Sequence, residues 1–234
     1  MIITLFKIIL IIFTLYCVLP FLLTRIFNFL VVKKNPKAEN EITLTFDDGP
    51  DPIYTPLLLD LLKKYKIKAT FFIVGAKAKK YPDIIKRMSN EGHLIGIHNY
   101  DHTFNWFNSP LRSKNEIDKT AKLINEITGE SPNYYRPPWG ILNLYHLIFP
   151  SKYKIILWSV MVGDWKLKGG SQRIKSELKT NIKNGSIIVL HDSGETFGAD
   201  QDAPGQMIKA LENLLDENVL KDFEFVRLDY FLQK

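Results

Sequence analysis

Apolar and polar positions along the chain fall into two regimes. Residues 8–24 carry no charge, and apolar character resumes past Arg25 as far as Val32. A run of that length can span a bilayer as a helix, its flanking long side chains reaching for the interfaces. Pro20 would kink such a helix without forbidding it. A cleavable signal peptide with Lys7 in its n-region is the alternative. The length of the run, and the lack of a small-x-small site after it, favour an uncleaved anchor over residues 1–32. Residues 33–40 then read as a short polar linker.

From Glu41 to the end, short β-branched or aromatic runs alternate with stretches of helical spacing. The runs predict strands over 42–46, 70–74, 94–98, 134–136, 155–159, 187–190 and 224–228. Between them, Leu57, Leu58, Leu61 and Leu62 predict a helix over 56–65, and Ile84, Ile85 and Met88 one over 82–90. Ser109-Pro110 reads as an N-cap with proline in the first turn, opening a helix that Gly129 ends. Further helices are expected over 171–183 and 205–215. Such alternation places the domain, 41–234, in the α/β class with a parallel sheet and outer helices. About seven repeats fit one distorted, seven-stranded (β/α) barrel, preceded by one N-terminal transmembrane helix. The polar residues at strand ends support a barrel, which gathers those ends on one rim.

Composition narrows this picture only a little. The 234 residues are 46% hydrophobic and 12% aromatic, enough for one well-packed domain. The net charge of +6 is local: five basic residues and no acidic ones precede Glu39, leaving 26 basic against 25 acidic beyond it. A balanced domain argues against a nucleic-acid footprint. The single cysteine, Cys17, lies in the apolar N-terminus, so the domain has no internal disulfide and no thiolate metal site.

The candidate chemistry begins at Thr45-Phe46-Asp47-Asp48-Gly49-Pro50. Neighbouring side chains on a strand point to opposite faces. At a strand end followed by Gly-Pro, that alternation can break and both acids can face one cavity. Two such charges need a cation or strong donors between them. Alone, the stretch would read as an Asx-type turn capping the next helix. His98-Asn99-Tyr100-Asp101-His102 changes that reading, because two imidazoles four apart on a helical turn share a face. An acid pair with a histidine pair suggests a metal hydrolase.

TFDDGP, HNYDH, RPPWG, WSVMVGDW and IVLHD stand in the order and rough spacing of the polysaccharide deacetylase (NodB-type) family of carbohydrate esterases, which residues 41–230 resemble. The resemblance implies a distorted barrel and metal-dependent removal of N-acetyl groups from an N-acetylglucosamine-containing polysaccharide such as peptidoglycan or chitin. It implies Asp48, His98 and His102 as metal ligands and Asp47 as general base. It implies His191 as general acid, Asp164 orienting it and Arg136 holding the base. Three protein ligands leave a position open for water, as in catalytic zinc sites. The cation would polarise the acetamide carbonyl and acidify that water. Zn²⁺ suits redox-silent hydrolysis, although Co²⁺, Ni²⁺ and Fe²⁺ accept the same donors. Asn99 and Trp139 depart from the family's usual Ser/Thr and Tyr. Trp139 is expected to offer a backbone N–H to the oxyanion or to grip the sugar. Val189, on the His191 face by period two, is expected to form an acetyl-methyl pocket with Trp165. Trp158 is expected in the core, and Trp106, Phe104 and Phe107 are candidates for sugar stacking.

The expected partners are a polysaccharide substrate and, through the N-terminal helix, the cell membrane. No nucleic acid or protein partner is evident. A wall polymer requires the catalytic domain outside the cell, whereas the cations after the apolar run would favour a cytoplasmic domain. Large domains translocate despite such charges, and the motifs weigh for the outside. A cytosolic hydrolase of small cyclic amides or ureides and a silent carbohydrate-binding domain are the competing readings. The silent domain would have lost a ligand or the base, and neither is lost here.

Overall fold

The computed structural model describes residues 1–148 and 152–233. Nine short strands, paired only in parallel, form one sheet: β1 (Val31–Val32), β2 (Glu41–Asp47), β3 (Thr70–Ile73), β4 (Leu94–Ile97), β5 (Tyr134–Tyr135), β6 (Lys154–Ile156), β7 (Val160–Met161), β8 (Ile187–His191) and β9 (Glu224–Phe225). The order is β1-β6-β5-β4-β3-β2-β8-β7, with β9 joining β2, and among the described residues no pairing closes the ring. The sheet nevertheless curls strongly. Arg136, just after β5, reaches Asp47 at the end of β2 at 2.7 Å, although β3 and β4 lie between their strands. The architecture is an open parallel half-barrel with helices outside.

β2 shows how the pattern produces this. Every residue in it is buried. Ile42, Leu44 and Phe46 point into the apolar layer beneath the helices, where Leu58, Leu62, Met207 and Leu211 meet them. Thr43, Thr45 and Asp47 take the other face by the strand's period of two. The outer layer holds the fold through area removed from water, about 1.5–3 kcal/mol for each large apolar side chain. The inner face carries polar groups that must find partners. Arg136, fully buried, supplies one for Thr45 Oγ1 at 2.7 Å.

The long predicted helices are present as Tyr54–Lys64, Pro82–Asn90, Pro110–Thr128, Gly170–Asn181 and Ala203–Asp216. Ser109 Oγ accepts from Arg112 N, and Gly129 closes the same helix at φ 77°. Among the described residues, nine strands replace the expected seven. The two missed, β1 and β7, are two residues long, too short for a period to register. The expected 224–228 strand ends at Phe225, because Leu228 opens a terminal helical turn.

The N-terminal helix runs over Ile2–Ile26 and is long and apolar enough to cross a membrane. It passes through a π-helical stretch, Thr14–Val18, in which Leu19 N donates to Thr14 O. Pro20 follows; its ring crowds the carbonyl four residues back, and the widened turn accommodates it. The helix stops at Ile26, earlier than the apolar run, because Val31 and Val32 pair with Ile155 and Ile156. Nor is 33–40 a loose tether. Asn35 is buried, donating to Phe231 O and, through its backbone, to Gly185 O.

Candidate active site

The C-terminal ends of the strands open into a cleft of about 680 Å³. Asp47 ends β2 on the inner face. Asp48 follows with φ 76°, a left-handed backbone that ordinary residues adopt only under constraint. That reversal breaks the strand alternation and brings the second carboxylate into the same cleft. Asp51 takes the capping role, its Oδ1 accepting from Ile53 N and Tyr54 N.

The histidine pair converges by a different route from the one expected. Residues 98–102 form a loop rather than a helical turn, with Asn99 at φ 59° and His102 at φ 52°. Glu116, buried on the helix Pro110–Thr128, accepts from both Tyr100 N and Asp101 N at 2.9 Å and so shapes the loop. The Asn99 side chain joins a buried network with Asn105 and Tyr135. His98 Nε2 and His102 Nε2 lie 3.2 and 3.0 Å from Asp48 Oδ1. One donor atom from each of the three falls within 4.8 Å of the others. His98 Nδ1 donates to Arg136 O at 2.7 Å, which fixes the ring and turns Nε2 toward Asp48. Burial alone would raise the Asp48 carboxyl, but hydrogen bonds from His102 and His98 hold it well below the usual range. Burial pushes His102 down, toward the neutral ring that a ligand needs. Two imidazole nitrogens and one ionised carboxylate fit a divalent transition metal.

Around these donors the other groups separate by role. Arg136 is wholly buried behind Asp47 and donates to its Oδ1 at 2.7 Å. Its Nε and Nη2 are held by Ile156 O and Leu157 O, and its guanidinium lies over Phe72. Asp164, also fully buried, stands behind His191: Oδ2 accepts from His191 N at 2.7 Å and Oδ1 lies 3.1 Å from Nδ1. Burial would lower the His191 imidazole, but the Asp164 charge and hydrogen bond, with Asp48 and Asp47 nearby, push it up to about 10. His191 therefore carries its proton at neutral pH.

Trp139 and Trp165 line the cleft; Trp139 packs edge-on against His102 at 4.4 Å and Trp165 against His191 at 5.2 Å. Val189 does not line it. One pleat step below His191, it sits in register with Thr45, buried under the floor, while its β7 partner Met161 faces the cleft. Trp158 packs against the core, as expected, and also lines the cleft. Trp106 packs instead against Phe13 and Phe21 of the N-terminal helix. Glu195, Asp200 and Asp202 bind Lys77, Lys166 and Tyr54. Sequence reasoning missed Glu116, Met161, Phe21 and Arg25. Only Glu116 left a signal, a charge among the buried-face positions Ser113, Ile117 and Thr120 of an amphipathic helix.

Residues 34–148 match the family model described as polysaccharide deacetylase. The chain is 35% identical over 202 residues to a peptidoglycan-N-acetylglucosamine deacetylase of Bacillus cereus, covering 85% of this chain and 70% of that protein. It is 33% identical over 195 residues to the peptidoglycan-N-acetylmuramic acid deacetylase PdaA of Bacillus subtilis, covering 78% and 74%. Its fold superposes on the crystal structure of the Bc1960 peptidoglycan N-acetylglucosamine deacetylase in complex with 4-naphthalen-1-yl-N-oxidanyl-benzamide. That TM-score is 0.80, at 33% identity, over 90% of this chain and 96% of the other.

Proposed function

The chain belongs to the polysaccharide deacetylase family, and from that premise we propose that it hydrolyses N-acetyl groups on the glycan strands of peptidoglycan at a membrane surface. The observation that carries the reading is the common cleft, with the Asp48–His98–His102 donor set flanked by Asp47 and by His191. Zinc is the favoured cation, and when bound there it supplies a Lewis acid for the amide carbonyl and an acidified water. Asp47, fixed by Arg136, takes the proton from the attacking water. Arg136 keeps this carboxylate in one rotamer, with Oδ1 engaged and Oδ2 left for the proton. His191, protonated through Asp164, gives its proton to the departing amine, which leaves as a neutral group. The Trp139 backbone N–H is assigned to the developing oxyanion, and Trp165 with Met161 to the acetyl methyl.

The helix Ile2–Ile26 anchors the enzyme, with the domain outside the cell, where such glycan is found. The cations after the helix oppose this orientation, but large domains translocate largely regardless of flanking charge. The test is acetate release and free-amine formation from purified peptidoglycan strands by the detergent-solubilised full chain, beside its His191→Ala variant. Acetate from the wild type alone supports the reading. Equal rates from both proteins, or no amine formed on any glycan, would overturn it.

A further inference from the structure

The N-terminal helix does more than leave the domain. Its first half, Ile2–Phe13, has no buried residue, but the second half lies on the catalytic domain. Tyr16 OH donates to Asn108 O at 2.7 Å, Cys17 is buried against Trp106 O, and Phe21 meets the Trp106 ring. One turn further on, Phe21 and Arg25 line the same cleft as Asp47, Asp48 and His191. Arg25 Nη2 donates to Trp139 O at 3.0 Å, and its guanidinium lies over Trp158 at 4.9 Å. Gly140 makes room for it: a Cβ there would stand 2.4 Å from Arg25 Nη2.

Arg25 is an incomplete site. A guanidinium has five N–H donors, and the single side-chain hydrogen bond found here goes to a neutral carbonyl. Among the described residues, no carboxylate pairs with it. A half-buried cation against two aromatic rings, Phe21 and Trp158, with donors to spare, is matched to a carboxylate or phosphate. Trp139 sets the distance to the chemistry. Its ring packs on His102 while its carbonyl holds Arg25. One residue thus links the metal donors to the cation.

The docked pose also sets the depth of the cleft. The free half, Ile2–Phe13, is 12 residues, about 18 Å of helix, against a hydrocarbon core of about 30 Å. Leu19, Leu22, Ile26, Phe27, Phe29 and Leu30 stay exposed on and just after the docked half of the helix and can make up the difference. In that pose the mouth would lie at the lipid headgroups.

We propose that the N-terminal helix forms a wall of the substrate cleft and that Arg25 binds an anionic group, carboxylate or phosphate, on the sugar next to the one being deacetylated. This rests on the deacetylase reading, and it makes the helix a specificity element as well as an anchor. The anion has two sources: the lactyl carboxylate of a muramyl residue in a strand, or the phosphate of a sugar carried on a lipid.

The test uses the full chain in detergent micelles with three N-acetylglucosamine oligomers, one muramyl-bearing, one with a terminal 1-phosphate and one neutral. For wild type, Arg25→Gln and Arg25→Lys, kcat and KM are measured, and calorimetry gives binding without turnover. Arg25→Gln is expected to raise KM or Kd for at least one charged oligomer about tenfold more than for the neutral one, with partial recovery in Arg25→Lys. The charged oligomer that loses more identifies the source. The same loss on all three oligomers, or none on any, would overturn the proposal. If the wild type binds but releases no acetate, the deacetylase reading fails, while the binding ratios still decide the role of Arg25.

Discussion

Asp164 touches no cleft surface, yet in the proposed mechanism it controls the proton on which the leaving group depends. Asp164→Asn removes the charge beside His191 Nδ1 while keeping an oxygen for His191 N. His191 should then fall from about 10 to the ordinary value of about 6.5 or lower, since burial continues to push it down. That difference corresponds to roughly 5 kcal/mol of lost stabilisation of the imidazolium. The protonated form is the active one, so activity is lost as pH rises through the His191 pKa. Near pH 8.5 the variant would hold about 1% of its His191 protonated, a rate loss of about 100-fold; near pH 6, with about three quarters protonated, the deficit would shrink to about 1.3-fold. The assay is kcat/KM for acetate release across this range, with the His191 titration followed by NMR. A loss of the same size at every pH would refute the reasoning, as would an unmoved His191 titration.

Other changes give sharper structural readouts. Arg136→Gln leaves Asp47 a buried charge without its partner and should cost about 3–5 kcal/mol in denaturant unfolding; wild-type stability would argue against the buried pair. Glu116→Ala strips the acceptor from Tyr100 N and Asp101 N, so metal affinity should fall about tenfold or more by competition titration. Burial raises the Asp192 carboxyl to about 7, with a Thr55 hydrogen bond and Lys77 opposing. Its proton therefore favours the folded state, fully below about pH 4 and progressively less as pH rises through about 7. Burial pushes His93 and His146 down to about 4, and they run the opposite way over the same pH range. The readout is therefore a difference: in thermal unfolding the chelated Asp192→Asn protein should gain on the wild type as pH rises through about 7, and a gap that does not change with pH would argue against a protonated Asp192.

Much of this was legible in the chain because strand ends announce themselves. A β-branched run followed by Asp-Asp-Gly-Pro, or by His-Asp, carries both the element and the polar group it delivers. Thr45 could be placed with Asp47 by period two, and the Ser109 and Gly129 caps followed from local backbone chemistry. Spacing alone misled at His98 and His102, where two left-handed residues and Glu116 replace the helical turn. It misled again at Val189, whose face was right and whose depth was wrong. The role of Arg25 had no local signal, because it depends on how a helix at one end of the chain docks beside Trp106, Trp139 and Gly140. Long-range docking of that kind leaves no period in a sequence.

In the proposed mechanism Asp48, His98 and His102 hold a divalent cation without which the amide is not cleaved. The most direct test is acetate release by the full chain after chelation and stepwise return of Zn²⁺, beside Asp48→Asn with its bound metal measured. The account predicts that activity disappears on chelation and returns with a single equivalent, whereas Asp48→Asn holds no stoichiometric metal and recovers no rate. Undiminished turnover in the chelated enzyme, or full metal content and rate in Asp48→Asn, would contradict it.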